Sequence, residues 1–238
     1  MRFIASLLAV CLSLATPLPT QAKPFRTPIR ACGENLGLIH DNEVDKDLHW
    51  EKKDFPLTLV IHPNVVPSWG WAIEKSVDIW NRRVGFEMFR LFYLDVPDAT
   101  FEELLEVSPD GFIPVMGMDD AELSDLLHRR VLGVTFIDSD EEGVIHNAPV
   151  LLPLNTRAHW PPKGIFTVVH EFGHVLGLAH DPCKESVMYF SDYPGAEEVL
   201  RIIQEDVTLL RELYAPEHAK DPDFELKIPR FIHWGLLD

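Results

Sequence analysis

Cationic side chains are scarce in this 238-residue chain: 21 Lys and Arg stand against 38 Asp and Glu, a formal net charge of −17. An excess of that size repels phosphate backbones and anionic lipid headgroups, which argues against nucleic-acid binding driven by counterion release and against anionic membrane surfaces. Cysteine is scarce too, with three residues. Long apolar runs are missing beyond residue 14, so no later segment reads as a membrane span and the mature chain is expected to be soluble. Internal repeats and low-complexity tracts are also missing. What remains is one globular domain, or one domain with a tail, whose 46% hydrophobic and 10% aromatic side chains can build a buried core.

The N terminus is a segment apart. Met1 to Ala22 has a basic start at Arg2, an apolar run from Phe3 to Leu14 and the small-residue exit Thr20-Gln21-Ala22, the layout of a secretory signal peptide. Cleavage after Ala22 is expected, with the mature protein secreted or periplasmic. Losing Arg2 makes the chain one charge more negative. Cys11 leaves with the signal peptide, so Cys32 and Cys183 remain, an even pair that suits one disulfide in an exported protein.

Residues 23–49 are rich in charge and Pro and read as a lead-in segment. Leu57-Thr58-Leu59-Val60-Ile61, bounded by Pro56 and Pro63, reads as a strand. Ile73, Val77, Trp80 and Val84 share one helical face, which predicts a helix from Trp71 to Val84 ended by Gly85. Further strands are expected over Met88 to Leu94, Phe112 to Met116, Val131 to Asp138 and Val144 to Leu152, the last two joined by a hairpin turn around Ser139 to Gly143. Between Asp95 and Asp125 lie ten acidic residues and no Lys or Arg. A solvated charged face accounts for them, with a Ca²⁺ site as the sharper alternative. The turn starting at Asp138 fails as an EF-hand loop, because its twelfth position is Pro149 where a bidentate Glu is required.

The chemistry is concentrated in His170-Glu171-Phe172-Gly173-His174-Val175-Leu176-Gly177-Leu178-Ala179-His180-Asp181. Within a helix expected from about Ile165 to Leu176, His170 and His174 at i and i+4 stack on one face, so both imidazoles can reach one metal ion. Gly177 can adopt a left-handed conformation, end the helix and swing His180 back to the same ion. Three neutral nitrogens with an open position is the catalytic arrangement for one Zn²⁺ ion. Glu171 points about 100° away from the ligand face, close enough to serve a bound water as general base without coordinating the metal. The other eight histidines show no comparable spacing. The extended motif arises by chance in a chain of this composition with odds on the order of one in ten thousand.

That motif, with Ser186-Val187-Met188-Tyr189 following, resembles the metzincin zinc endopeptidases, and within them the matrixin group. Trp50 to Ile61 resembles the matrixin first strand and its approach, and Ala72 to Trp80 the first helix. Val131 to Phe136 resembles the strand bordering the cleft, and Glu205 to Tyr214 the closing helix. The resemblance implies an α+β domain over residues 50–214 with a twisted, mostly parallel sheet, an antiparallel edge strand, an active-site helix and a C-terminal helix, followed by a tail over 215–238. It implies His170, His174 and His180 as zinc ligands, Glu171 as general base, Met188 in the Met-turn under the metal, and Gly177 and Asp181 as supporting residues. It further implies a monomer acting on peptide or protein substrates, with the segment from Tyr189 to Pro194 walling a substrate pocket.

The sequence also departs from that pattern. Tyr189 directly follows Met188, so the spacing by which astacins and serralysins place a tyrosine on zinc is absent, and no counterpart of the matrixin structural zinc and calcium segment lies between Phe86 and His159. Arg30-Ala31-Cys32-Gly33 partly matches the matrixin cysteine switch, so Cys32 has three readings: a disulfide with Cys183, a latency switch, or a free thiol. Two functions besides endopeptidase are consistent with the residues, a catalytically silent zinc-site binding protein and a zinc hydrolase of a non-peptide amide. An acidic segment along the cleft rim would favour basic peptides.

Overall fold

The computed structural model describes residues 37–41, 45–109, 111–155, 163–183, 186–189, 202 and 204–216. Two short strands, β1 (His40–Asp41) and β2 (Lys46–Asp47), pair antiparallel ahead of the main sheet. In chain order there follow β3 (Leu57–Ile61), α1 (Val66–Val84), β4 (Phe89–Tyr93), α2 (Phe101–Val107), β5 (Phe112–Met118) and α3 (Asp120–Leu127). Next come β6 (Val134–Thr135), β7 (Asp138–Ser139), β8 (Ile145–Asn147), β9 (Val150–Pro153), α4 (Lys163–Val175) and α5 (Gln204–Tyr214). The five-stranded sheet has the order β4-β3-β5-β9-β6. All its pairings are parallel except β6 with β9, so the expected mostly parallel sheet with an antiparallel edge strand is what forms.

The sheet strands are apolar because helices cover them. Leu57, Leu59 and Ile61 of β3 and Val150, Leu151 and Leu152 of β9 are fully buried, the pattern of parallel strands packed under helices. Helices α1 and α4 lie against each other, and α5 packs on α1. The apolar stripe of α1 sends Ile73, Val77, Trp80 and Val84 into the core. Its C-terminus is Gly85 at φ 92°, where a residue without Cβ turns the chain at no steric cost.

Three elements differ from the sequence expectation. Helix α1 begins at Val66, five residues before Trp71, because Pro67 falls in its first turn, where the missing N–H has no helical acceptor to lose. The expected strand Val131 to Asp138 is two short strands in different sheets: β6 closes the main sheet, while β7 pairs with β8. Val144 to Leu152 divides in the same way into β8 and β9. The hairpin turn between Ser139 and Gly143 is present, with Gly143 at φ 82°.

The acidic stretch folds as caps and turns. Thr100 and Glu103 form a capping box on α2, and Asp119 accepts from Ala121 N at the start of α3. Asp120 accepts from Asn155 N at 2.8 Å. Carboxylates suit these positions because helix N-termini present unpaired N–H groups and positive dipole ends.

Candidate metal centre

Helix α4 carries the first two histidines and then stops within one residue of Val175. The stop is a Schellman turn: Leu178 N donates to Gly173 O at 2.9 Å, Gly177 N donates to His174 O at 2.9 Å, and Gly177 sits at φ 88°. A side chain at Gly177 would be strained and its Cβ would come 2.8 Å from Leu48 O. The turned chain runs beside the lead-in, with Ile39 N donating to Gly177 O at 2.7 Å and Ala179 N to Gly37 O at 3.1 Å. His180 follows this anchored stretch and is thereby returned to the face of α4.

The three imidazoles converge. Nε2 of His174 lies 3.1 Å from Nε2 of His170 and 3.1 Å from Nε2 of His180, and the three form the only such cluster of metal-binding side chains among the described residues. The rings of His170 and His174 stand nearly perpendicular, as side chains aimed at a common point do. The other nitrogens decide the tautomer. His170 Nδ1 lies 2.7 Å from Val187 O and His174 Nδ1 lies 2.8 Å from Leu178 O. A carbonyl can only accept, so each Nδ1 carries the proton and each Nε2 presents a bare lone pair. The lone pairs of His170 and His174 facing one another at 3.1 Å repel unless a cation lies between them, and neutral imidazole nitrogens in threes are a zinc donor set. The residues therefore fit a zinc ion.

Burial and mutual repulsion keep the imidazoles neutral. Desolvation, joined by the neighbouring histidines, holds His174 well below its ordinary value and His180 at about 4, and burial lowers His170. These are the deprotonated forms that bind metal. Glu171 is pushed the other way, up to about 7, by burial, against a hydrogen bond from Thr135 and the charge of Arg129. A carboxyl balanced near neutrality can both accept and release a proton.

Beneath the site Met188 is completely buried, its sulfur and terminal methyl lying against Gly173 on α4. The turn at Met188 is held by two main-chain bonds and one to a side chain. Asp181 N donates to Met188 O at 2.8 Å, Tyr189 N to Ser186 O at 3.1 Å, and Met188 N to Ser186 Oγ at 3.1 Å. Asp181 Oδ1 accepts from Cys183 N at 2.7 Å, which curls the loop after the third histidine. Asp181 thus supports the loop and makes no contact with an imidazole among its hydrogen bonds. Cys183 is buried next to it; Cys32, residues 1–36 and Phe190 to Pro194 lie outside the described residues.

Several supporting groups were not legible in the motif. The indole of Trp80 on α1 donates to Val169 O at 3.0 Å, and the indole of Trp50 donates to Val175 O at 2.6 Å. Val175 O is one of the last four carbonyls of α4, which have no partner within the helix. Tyr214 of α5 accepts from Trp50 N at 3.2 Å and reaches Leu176 O at 3.4 Å. Thr135 of the edge strand and Gly133 just before it meet Glu171. A period of two along Val131 to Phe136 would have put these two residues on one face, the one signal available in sequence.

Residues 127–215 match the family model of the matrixin peptidases, a span that holds the three histidines, Glu171 and Met188. The chain is also similar to the Metalloendoproteinase 5-MMP of Arabidopsis thaliana, 28% identical over 100 residues, which is 40% of this chain and 26% of that protein. The chain thus aligns with about a quarter of the length of this relative.

Proposed function

From a chain that is a matrixin-like metzincin in its fold and its histidine cluster, we propose a secreted, zinc-dependent endopeptidase that hydrolyses peptide bonds with Glu171 as general base. The observation that carries the proposal is the convergence of three imidazole Nε2 atoms, bare on His170 and His174, beside one buried carboxyl group. His170, His174 and His180 would hold a zinc ion, which would supply an acidified water and polarise the scissile carbonyl. Glu171 takes the proton of that water and hands it to the departing amine, which its near-neutral balance allows. Strand β6 has β9 on one side and no sheet partner on the other among the described residues, so an extended substrate can add there as a further antiparallel strand.

Secretion is supported by the layout of residues 1–22, and a Cys32–Cys183 disulfide by the even cysteine pair left after cleavage at Ala22. Such a bridge would brace the loop between His180 and Met188. N-terminal sequencing of exported protein should start at Lys23, and reduction should shift the mass of the mature chain by one disulfide.

The test of the reaction is cleavage of a mixed peptide library by zinc-loaded mature protein, with and without chelator, beside Glu171→Ala. Cleavage that needs metal and is lost in the variant is expected. Cleavage retained by the variant would remove the general-base assignment. No cleavage by the wild type would make this a zinc-site binding protein or a hydrolase of non-peptide amides.

A further inference from the structure

The direction of the Glu171 carboxylate is not set by α4 alone. Thr135 Oγ1 lies 2.8 Å from Glu171 Oε2 and 3.1 Å from Glu171 O, so one hydroxyl on the edge strand touches both the side chain and the main chain of this residue. Two residues earlier on the same face, Gly133 leaves the space in which the side chain lies. A Cβ there would come 2.9 Å from Glu171 Cγ and 3.0 Å from Oε1. Gly133, just before the edge strand, and Thr135 on it thus both approach the Glu171 side chain. Glu171 is itself 6% exposed, so bulk solvent has little access to stand in for the hydroxyl.

A glutamate has three rotatable bonds, and fixing them costs entropy that a single well-placed hydrogen bond offsets only in part. Proton transfer nevertheless needs the carboxylate within hydrogen-bond reach of the reacting water. A threonine hydroxyl has one proton to give. Given to Oε2, it occupies that oxygen and leaves Oε1, which has no hydrogen bond among the described residues, to receive the proton of the water. Oε1 then passes the same proton to the amine nitrogen, and the carboxylate is restored with Oε2 bonded to Thr135 throughout.

We propose that Thr135 is a positioning residue for Glu171, holding Oε2 so that Oε1 faces the reacting water, with Gly133 providing the room. The inference rests on the endopeptidase reading. It adds that the strand offered to the substrate backbone is also the strand that aims the base, so substrate and base are registered on a single piece of chain.

The experiment compares zinc-loaded wild type with Thr135→Val, which keeps shape and strand preference but has no hydroxyl, and with Thr135→Ser, which keeps the hydroxyl. On one peptide substrate, kcat of the Val variant is expected to fall about 10- to 100-fold with KM changed less than about twofold. The Ser variant is expected to recover most of the loss, and zinc stoichiometry and Tm should stay near wild type in both. A Val variant with wild-type kcat, a loss seen only in KM, or no recovery with Ser would overturn the assignment. Crystal structures of the three proteins give the readout independent of activity: the Glu171 carboxylate should hold its place in wild type and Ser and move or split in Val. An unmoved carboxylate in Val overturns the positioning role whether or not the protein cleaves peptides, whereas an inactive wild type with the expected displacement overturns only the endopeptidase reading.

Discussion

The sulfur of Met188 occupies the space that a methyl group on Gly173 would need: a Cβ at residue 173 would lie 2.9 Å from Met188 Cε and closer still to Sδ, with Trp80 at 3.4 Å on its other flank. The variable position between the two helical histidines is thus fixed by what lies below it. Gly173 is a poor helix former in the middle of α4, a cost of about 1 kcal/mol relative to alanine that the approach of the Met-turn makes unavoidable here.

Gly173→Ala should therefore destabilise the protein although it improves helix propensity. Overpacking of about 1–3 kcal/mol is expected, with Met188 displaced and zinc bound less tightly because Val187 O, one residue away, orients His170. Chemical denaturation and zinc titration check both effects. A more stable variant would show that the Met-turn yields easily.

Metal should stabilise the fold by mass action. Zinc held free at about 100 times its dissociation constant adds about 2.7 kcal/mol, on the order of 5–10 °C in Tm for a chain of this size. Chelator should reverse the gain. In His180→Ala, which removes one of three ligands while leaving the Schellman turn in place, the zinc-dependent shift should largely disappear. Differential scanning calorimetry with and without zinc measures it.

The two core indoles should not be worth the same. Trp50→Phe and Trp80→Phe each remove an N–H bonded to a carbonyl of α4, together with similar volume. Val169 lies far enough from the helix end for its carbonyl to keep an intrahelical partner, while Val175 O belongs to the final turn and is left bare. Trp50→Phe is expected to cost more than Trp80→Phe, by about 1 kcal/mol or more. Equal losses in urea unfolding would contradict this ranking.

A pH dependence follows from Asp206 of α5. Its carboxyl is pushed up to about 7 by burial, then by the neighbouring charges of Asp181 and Glu205, and its Oδ2 and that of Asp181 have no hydrogen-bond partner among the described residues. The folded protein thus retains a proton that the unfolded chain gives up near pH 4. Stability contributed by the protonated form is full below pH 4 and falls as pH rises towards 7, because there the unfolded state binds fewer protons. Asp206→Asn removes the ionisation, so it should be more stable than wild type at pH 8, by about 1–3 kcal/mol, with the gain shrinking towards pH 4. A gain independent of pH would point to packing instead.

The helix-borne part of the site was legible because its geometry is local. The i, i+4 spacing of His170 and His174 and the glycine three residues later are consequences of helical pitch and of a left-handed turn, both written in consecutive residues. Val187 O, Trp50 and Thr135 act on the site from 17, 125 and 36 residues away, and their local sequence does not say which residue of the site each one meets. The strands show the same divide. Val131 to Asp138 has the right residue types throughout, but the chain leaves the main sheet after Thr135 to start the β7–β8 hairpin, and residue type does not say which sheet a strand joins. The first turn of α1 lies ahead of its apolar face, and Pro67, which would break a helix from inside, is well placed there.

Tyr214 joins Trp50, 164 residues earlier, to the end of α4. In kinetic terms this is a contact of very high sequence separation, and such contacts slow folding because the entropy of closing the loop must be lost before the bond forms. A chain still emerging from the ribosome has no Tyr214 to complete Trp50 or Leu176 until nearly all described residues are made. The histidine cluster should accordingly assemble late, as one of the last events after synthesis, and a chain cut short before α5 should fail to hold it.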